Sequence, residues 1–151
     1  MVDIFYAFDE KPLSHNKRGV AAYKNKLVSD FNSKFAHHYS CLPFPIGLDL
    51  QTDILYIDGV KSDANRMDID NLSKPLIDCF TGVIYSDDKQ IVRRTATRYK
   101  NSSYDLTELD FTDIPQDIYL VVANAFFSNK EHIVVLKVSE IDLSSFGGKF
   151  L

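Results

Sequence analysis

The segment Arg66-Met-Asp-Ile-Asp-Asn-Leu-Ser-Lys-Pro-Leu-Ile-Asp78 gathers three carboxylates, an asparagine and a lysine, and a further pair, Asp87-Asp88, follows downstream. Like charges brought close raise one another's pKa and destabilise a fold unless a cation neutralises them. A hard divalent ion does so, and magnesium in particular binds through one or two carboxylates together with waters and substrate phosphate. Carboxylates of this kind therefore point to phosphoryl chemistry, in which a water is acidified and charge on a phosphate oxygen is neutralised. A lysine nearby, Lys74, suits the stabilisation of charge developing on that phosphate.

Helix capping is the competing explanation. Acids ahead of a helix complement its dipole and are worth roughly a few tenths of a kcal/mol each. Capping accounts for Asp70 and Asn71. It leaves Asp68 and Asp87-Asp88 unexplained, and Lys74 in a first turn would oppose the dipole. A calcium-binding EF-hand loop is excluded by inspection. With Asp68 as position 1, Leu72 stands at position 5, Ser73 replaces the glycine of position 6, and Cys79 replaces the glutamate of position 12.

The elements around the cluster follow from the same stretch. Asn71 is expected as the N-cap of a helix running from about Leu72 to Phe80 and closed by Thr81-Gly82. Pro75 is then tolerable because it lies near a helix start. Asp68 and Asp70 fall in extended chain, where a spacing of two points both side chains to one side. Ile69, Leu72, Leu76 and Phe80 form an apolar stripe.

Elsewhere, residues 2–9 read as a strand, and Lys11–Gly19 as a loop broken by Pro12 and Gly19. A helix from Val20 carries apolar residues at 20, 23, 27, 28, 31 and 35. Residues 46–57 form one interrupted strand or two paired ones, and 91–99 a strand. The stretch 105–117 reads as a solvated acidic connection, one whose charge could cover a basic surface elsewhere on the chain. Residues 118–127 and 132–138 read as two apolar strands in a hairpin, followed by a loose tail to residue 151. The expectation is a single α/β (α+β) domain over 1–151, with a mixed sheet and two main helices.

At 151 residues with 45% hydrophobic content the chain can bury one core and is too apolar for disorder. No apolar run reaches the roughly 20 residues of a membrane helix, and the N-terminus does not look like a signal peptide. Two cysteines fit a reducing compartment, and a cytoplasmic location in a bacterial or phage-infected cell is expected. His37-His38 and Cys41 lack the second cluster that a zinc site needs. The net charge of −4 argues at first against nucleic acid, but its distribution is uneven. Residues 11–26 and 89–100 each hold five Lys/Arg and no acid, while 105–117 holds five acids and no base, and without those acids the formal charge would be +1.

The order Asp68-Ile-Asp70-Asn71-Leu-Ser-Lys74, then Gly82-Val-Ile-Tyr-Ser-Asp87-Asp88-Lys-Gln90, resembles the RusA-type Holliday junction resolvases, a family of crossover junction endodeoxyribonucleases common in phages and prophages. The match is close over residues 66–92, looser over the N-terminal strand, basic loop and helix, and absent over 105–151. The resemblance implies a small homodimer that binds Mg2+ (Mn2+ an alternative) and cuts opposed strands of a four-way DNA junction in recombination and repair. By position it implies Asp68, Asp70, Lys74 and Asp88 as catalytic, and Asp68, Asp70, Asp87 and Asp88 as metal ligands. The basic stretches then nominate Lys11, His15, Lys17, Arg18, Lys24, Arg93, Arg94 and Arg98 for DNA phosphates. Strand alternation sets Arg94 and Arg98 on one face and Arg93 on the other. Two other classes stay open: a branched-DNA-binding factor that does not cut, and a fold relative that cleaves RNA.

Overall fold

The structure is a computed structural model, in which residues 3–15, 17–58, 68–100 and 109–142 are described. It is a single α+β domain, built on a mixed sheet of four strands in the order β1-β4-β2-β3, with β1 at Ile4–Phe8, β2 at Leu50–Asp58, β3 at Ile91–Lys100 and β4 at His132–Glu140. β4 runs antiparallel to both β1 and β2, whereas β2 and β3 are parallel. Parallel neighbours need a crossover. Here it contains helix α2, Ile69–Cys79, which brings the candidate residues across the sheet.

Alternation divides the sheet into two faces. Tyr6, Leu136, Ile54 and Ala96 lie in register across one of them. Helix α1, Val20–Lys34, and α2 cover this face, and its core is aromatic: the Tyr6 ring meets Phe31, Phe35 and Phe80 edge-on. Phe80 is fully buried where α2 ends. Phe80→Ala should lower the unfolding free energy by about 3–5 kcal/mol in chemical denaturation. A loss below about 1 kcal/mol would show that the ring is not part of the core.

The opposite face, that of Phe5, Ala7, Ile133 and Val135, receives a third helix, α3, Gln116–Phe127, which packs on β1 and β4. This corrects the expected strand over 118–127, the hairpin and the count of two main helices. The buried residues of α3 are Ile118, Val122 and Ala125, which is helical spacing. The pattern is hidden in the sequence because Tyr119, Leu120 and Phe127, on the exposed side, are also apolar. Pro115 and Asp117 at its start are ordinary helix-opening signals. β4 is no hairpin partner of 118–127. It is a central strand, paired on both sides.

Two smaller corrections concern the connections. Residues 46–57 hold one strand, β2, with Ile46 only bridging to Tyr85. Within the acidic stretch, Leu109, Phe111 and Ile114 pack against the core, so this part is not merely solvated. Residues 59–67, 105–108 and 143–151, where a loop, part of the acidic connection and a loose tail are expected, lie outside the described residues. No helix among the described residues is long and apolar enough to cross a membrane.

Candidate active site

The site begins at the start of α2, and that start is not where the spacing puts it. Asp68, not Asn71, is the N-cap: its backbone is extended and its Oδ1 accepts from the Asp70 N–H at 3.3 Å. Ile69 belongs to the apolar stripe, so the helix opens one residue before Asp70, and aspartate caps as well as asparagine. Asp68 and Asp70 therefore do not share a side of extended chain. Capping accounts for Asp68, the residue it was expected not to explain.

The earlier start moves everything downstream. Asp70 lies exposed in the first turn, and Lys74 falls in the second turn rather than the first. The dipole, which fades within a turn, no longer counts against Lys74. Asp70, Lys74 and Asp78 stand four residues apart, one above the other on one helix face. Lys74 Nζ donates to Asp78 Oδ1 at 2.8 Å and to Asp88 Oδ2 at 3.0 Å. These two carboxylates hold the lysine above its ordinary pKa.

Asp88 reaches Lys74 because the chain turns back sharply after α2. Gly82 takes a left-handed φ of 80°, which a glycine adopts without strain, and its N–H donates to the Tyr85 carbonyl at 2.7 Å. Tyr85 is fully buried and its hydroxyl donates to the Ile77 carbonyl at 2.5 Å, pinning the turn beneath the helix. A short 3-10 turn, Asp88–Gln90, then leads into β3. Asp87 caps it: its carboxylate accepts from the Lys89 N–H at 3.0 Å, while its own N–H donates to Gln90 Oε1 at 2.8 Å. The side chains of Asp87 and Lys74, hydrogen-bonded to Asp88, hold its carboxyl below the usual carboxylate range.

The two adjacent aspartates thus have different settings, Asp88 facing Lys74 and Asp87 closing a turn. Gln90, which the sequence reading does not nominate, has a clear part. Its Nε2 donates to the carbonyls of Ile46 and Leu48 at 2.7 and 2.8 Å and fastens the start of β3 to the entry of β2. The spacing Asp-x-x-Gln, a capping-box pattern, carries that signal. Asp78, to which the motif spacing assigns no role, is the second partner of Lys74.

The nominated basic residues fall into three groups. Lys11, His15, Lys17 and Arg18 are exposed on the loop before α1, and this loop abuts α2: the His15 N–H donates to the Asn71 carbonyl at 2.7 Å. Lys24, on α1, donates to the Thr81 carbonyl at 3.2 Å, just past the other end of α2. On β3, Arg94 and Arg98 share the face that α2 covers, with Arg98 Nε 3.7 Å from Asp58 Oδ2. Arg93 points to the other face, where its guanidinium donates to the Asp142 carbonyl. It is not brought to the site.

As to a metal, the donors on offer are carboxylate oxygens, the kind that magnesium and manganese take. Asp70 is exposed, with no hydrogen-bond or ion-pair partner for its carboxylate among the described residues, and Asp88 lies across from the next residue of its helix face. No group of three metal-ligating side chains is preassembled among the described residues. One or two carboxylates completed by waters and phosphate remain a fit for magnesium.

Residues 13–107 match the sequence profile of the family described as endodeoxyribonuclease RusA, a span that holds both aspartate motifs, the basic loop from Leu13 onward, α1, α2 and β3. No curated protein matches the chain in sequence.

Proposed function

This chain belongs to the endodeoxyribonuclease RusA family, and from that premise we propose that it is a magnesium-dependent endonuclease resolving four-way DNA junctions by paired, symmetric cuts. The observation that carries the reading is the Lys74–Asp88 contact, which unites the two motifs within 3.0 Å, with Asp70 one helical turn from the lysine. Asp70 and Asp88 would hold the ion, with Asp68 beside them. When bound there, magnesium supplies Lewis acidity toward a water and a phosphate oxygen.

The chain's own residues do the rest. Lys74, kept charged by Asp78 and Asp88, offers its ammonium to negative charge growing on the scissile phosphate. Asp78 holds the lysine at that position. The loop Lys11–Arg18, at the N-terminal end of α2, and Arg94 and Arg98, beside it, take backbone phosphates of the junction arms. Two copies related by a two-fold axis would match the symmetry of a junction and cut both opposed strands.

The test is a synthetic four-way junction incubated with the protein, with and without magnesium. Symmetric nicks that require the metal are the expected result. Binding without nicks at any metal would instead favour a non-cutting junction factor, and cleavage of simple RNA a fold relative of different specificity. A stable monomer by light scattering at micromolar concentration would remove the paired-cut element.

A further inference from the structure

Pro75 sits at the seventh position of the eleven-residue α2, where proline costs about 3 kcal/mol in an ordinary helix. It has no N–H to give the carbonyl four residues back, and its ring crowds that carbonyl. The carbonyl is that of Asn71. It is the same one that accepts the His15 N–H at 2.7 Å.

We infer that Pro75 is a positioning residue for DNA capture: by withholding its own donor it leaves the Asn71 carbonyl to His15, and so moors the basic loop against the turn that carries Asp70. The inference rests on the reading that this loop meets DNA phosphates. Three observations agree with it. The bond links residues 56 positions apart, so it is a tertiary tether and not a local turn. It lies one residue from Asp70, and Lys11, His15, Lys17 and Arg18 around it are all exposed. Pro12, within the same loop, is buried, and the Lys17 N–H donates back to the Ser14 carbonyl at 3.2 Å, so the described residues of the loop have two further points of attachment beside this tether.

An alanine at position 75 would restore the helical N–H, draw the Asn71 carbonyl back toward the helix axis, and compete with His15. Helix propensity alone makes Pro75→Ala neutral or stabilising. Its effect on the loop has the opposite sign, and this separates positioning from a structural role.

The experiment compares Pro75→Ala, His15→Pro and His15→Ala with the unaltered protein. His15→Pro deletes the backbone donor, whereas His15→Ala keeps it and controls for the loss of the imidazole. Amide exchange over residues 14–18 is read by NMR, together with melting temperature, junction affinity and turnover at saturating junction. In Pro75→Ala, exchange at His15 should quicken about fivefold, the worth of one hydrogen bond, without a fall in melting temperature. Junction affinity should weaken about three- to tenfold while saturated turnover stays within about twofold. His15→Ala should leave the exchange of its neighbours unchanged, and His15→Pro should bind more weakly than His15→Ala. Unchanged exchange at His15 in Pro75→Ala would overturn the tether. Quickened exchange with unchanged affinity would overturn its part in DNA capture. If the unaltered protein binds no junction at all, the proposed function fails, and DNA positioning fails with it, whereas the exchange comparison still decides the tether by itself.

Discussion

Asp70→Asn should reduce junction cleavage at saturating magnesium by at least about 100-fold, with junction affinity retained within about twofold. The argument rests on where the residue lies. Asp70 is exposed in the first turn of α2 and caps nothing; its backbone N–H donates to Asp68 Oδ1, while its carboxylate has no hydrogen-bond or ion-pair partner among the described residues. An amide of the same size there changes stability by no more than the roughly few tenths of a kcal/mol of a lost dipole interaction. A loss of cleavage in a protein of unaltered melting temperature would therefore report chemistry. Asp68→Asn is a sharper companion, because asparagine caps a helix as well as aspartate does. It removes the charge and keeps the cap. If Asp70→Asn cuts at the wild-type rate, the carboxylate face of α2 is not the active site.

Much of this site is legible in the chain's residue types and their spacing. The two motifs in order name the family, and the apolar stripe of Leu72, Leu76 and Phe80 gives the buried side of α2. Alternation on β3 separates Arg93 from Arg94 and Arg98. What is not legible has specific physical causes. Asp68, Asp70 and Asn71 are all competent caps, so composition cannot choose the helix start, and the choice shifts Lys74 by most of a turn. A proline reads as a sign of nearness to that start because proline is rarely found further in. Its place here depends on a donor from His15, which no local pattern encodes.

Helix α3 misleads for a different reason. Its exposed side is nearly as apolar as its buried one, so neither period stands out from the sequence. The same misreading makes β4 look like an appendage, when it pairs with β1 and β2 at the middle of the sheet. The acidic stretch suggests a cover for the basic surface. Instead, Asp110 and Asp113 line a cleft with Phe5, Asp53, Thr95 and Lys137, on the face away from Arg94 and Arg98. Asp110 and Asp113 therefore do not lie over Arg94 and Arg98.

The second large effect concerns Lys74. Replacing it with alanine leaves Asp78 and Asp88 facing each other without the ammonium that now bridges them at 2.8 and 3.0 Å. Cleavage should fall by roughly 100-fold or more if the ammonium meets the phosphate. A purely structural lysine would predict a different pattern, and pH distinguishes the two. Asp88 is held below the usual carboxylate range by Asp87 and Lys74, so in the native protein it stays ionised as the pH falls through that range. Any stability it lends is present above its unfolded-state pKa and lost as pH falls through the lower native value. Without Lys74 the native value must rise, and the acid limb of the cleavage profile should move to higher pH. Lys74→Arg keeps the charge but spreads it over a planar fork, so it should hold the acid limb in place while recovering only part of the rate. Restoration of full activity by combining Lys74→Ala with Asp78→Asn would mean that the lysine merely neutralises its neighbours. A double variant as slow as Lys74→Ala alone, with an unchanged melting temperature, would assign the ammonium to the reacting phosphate.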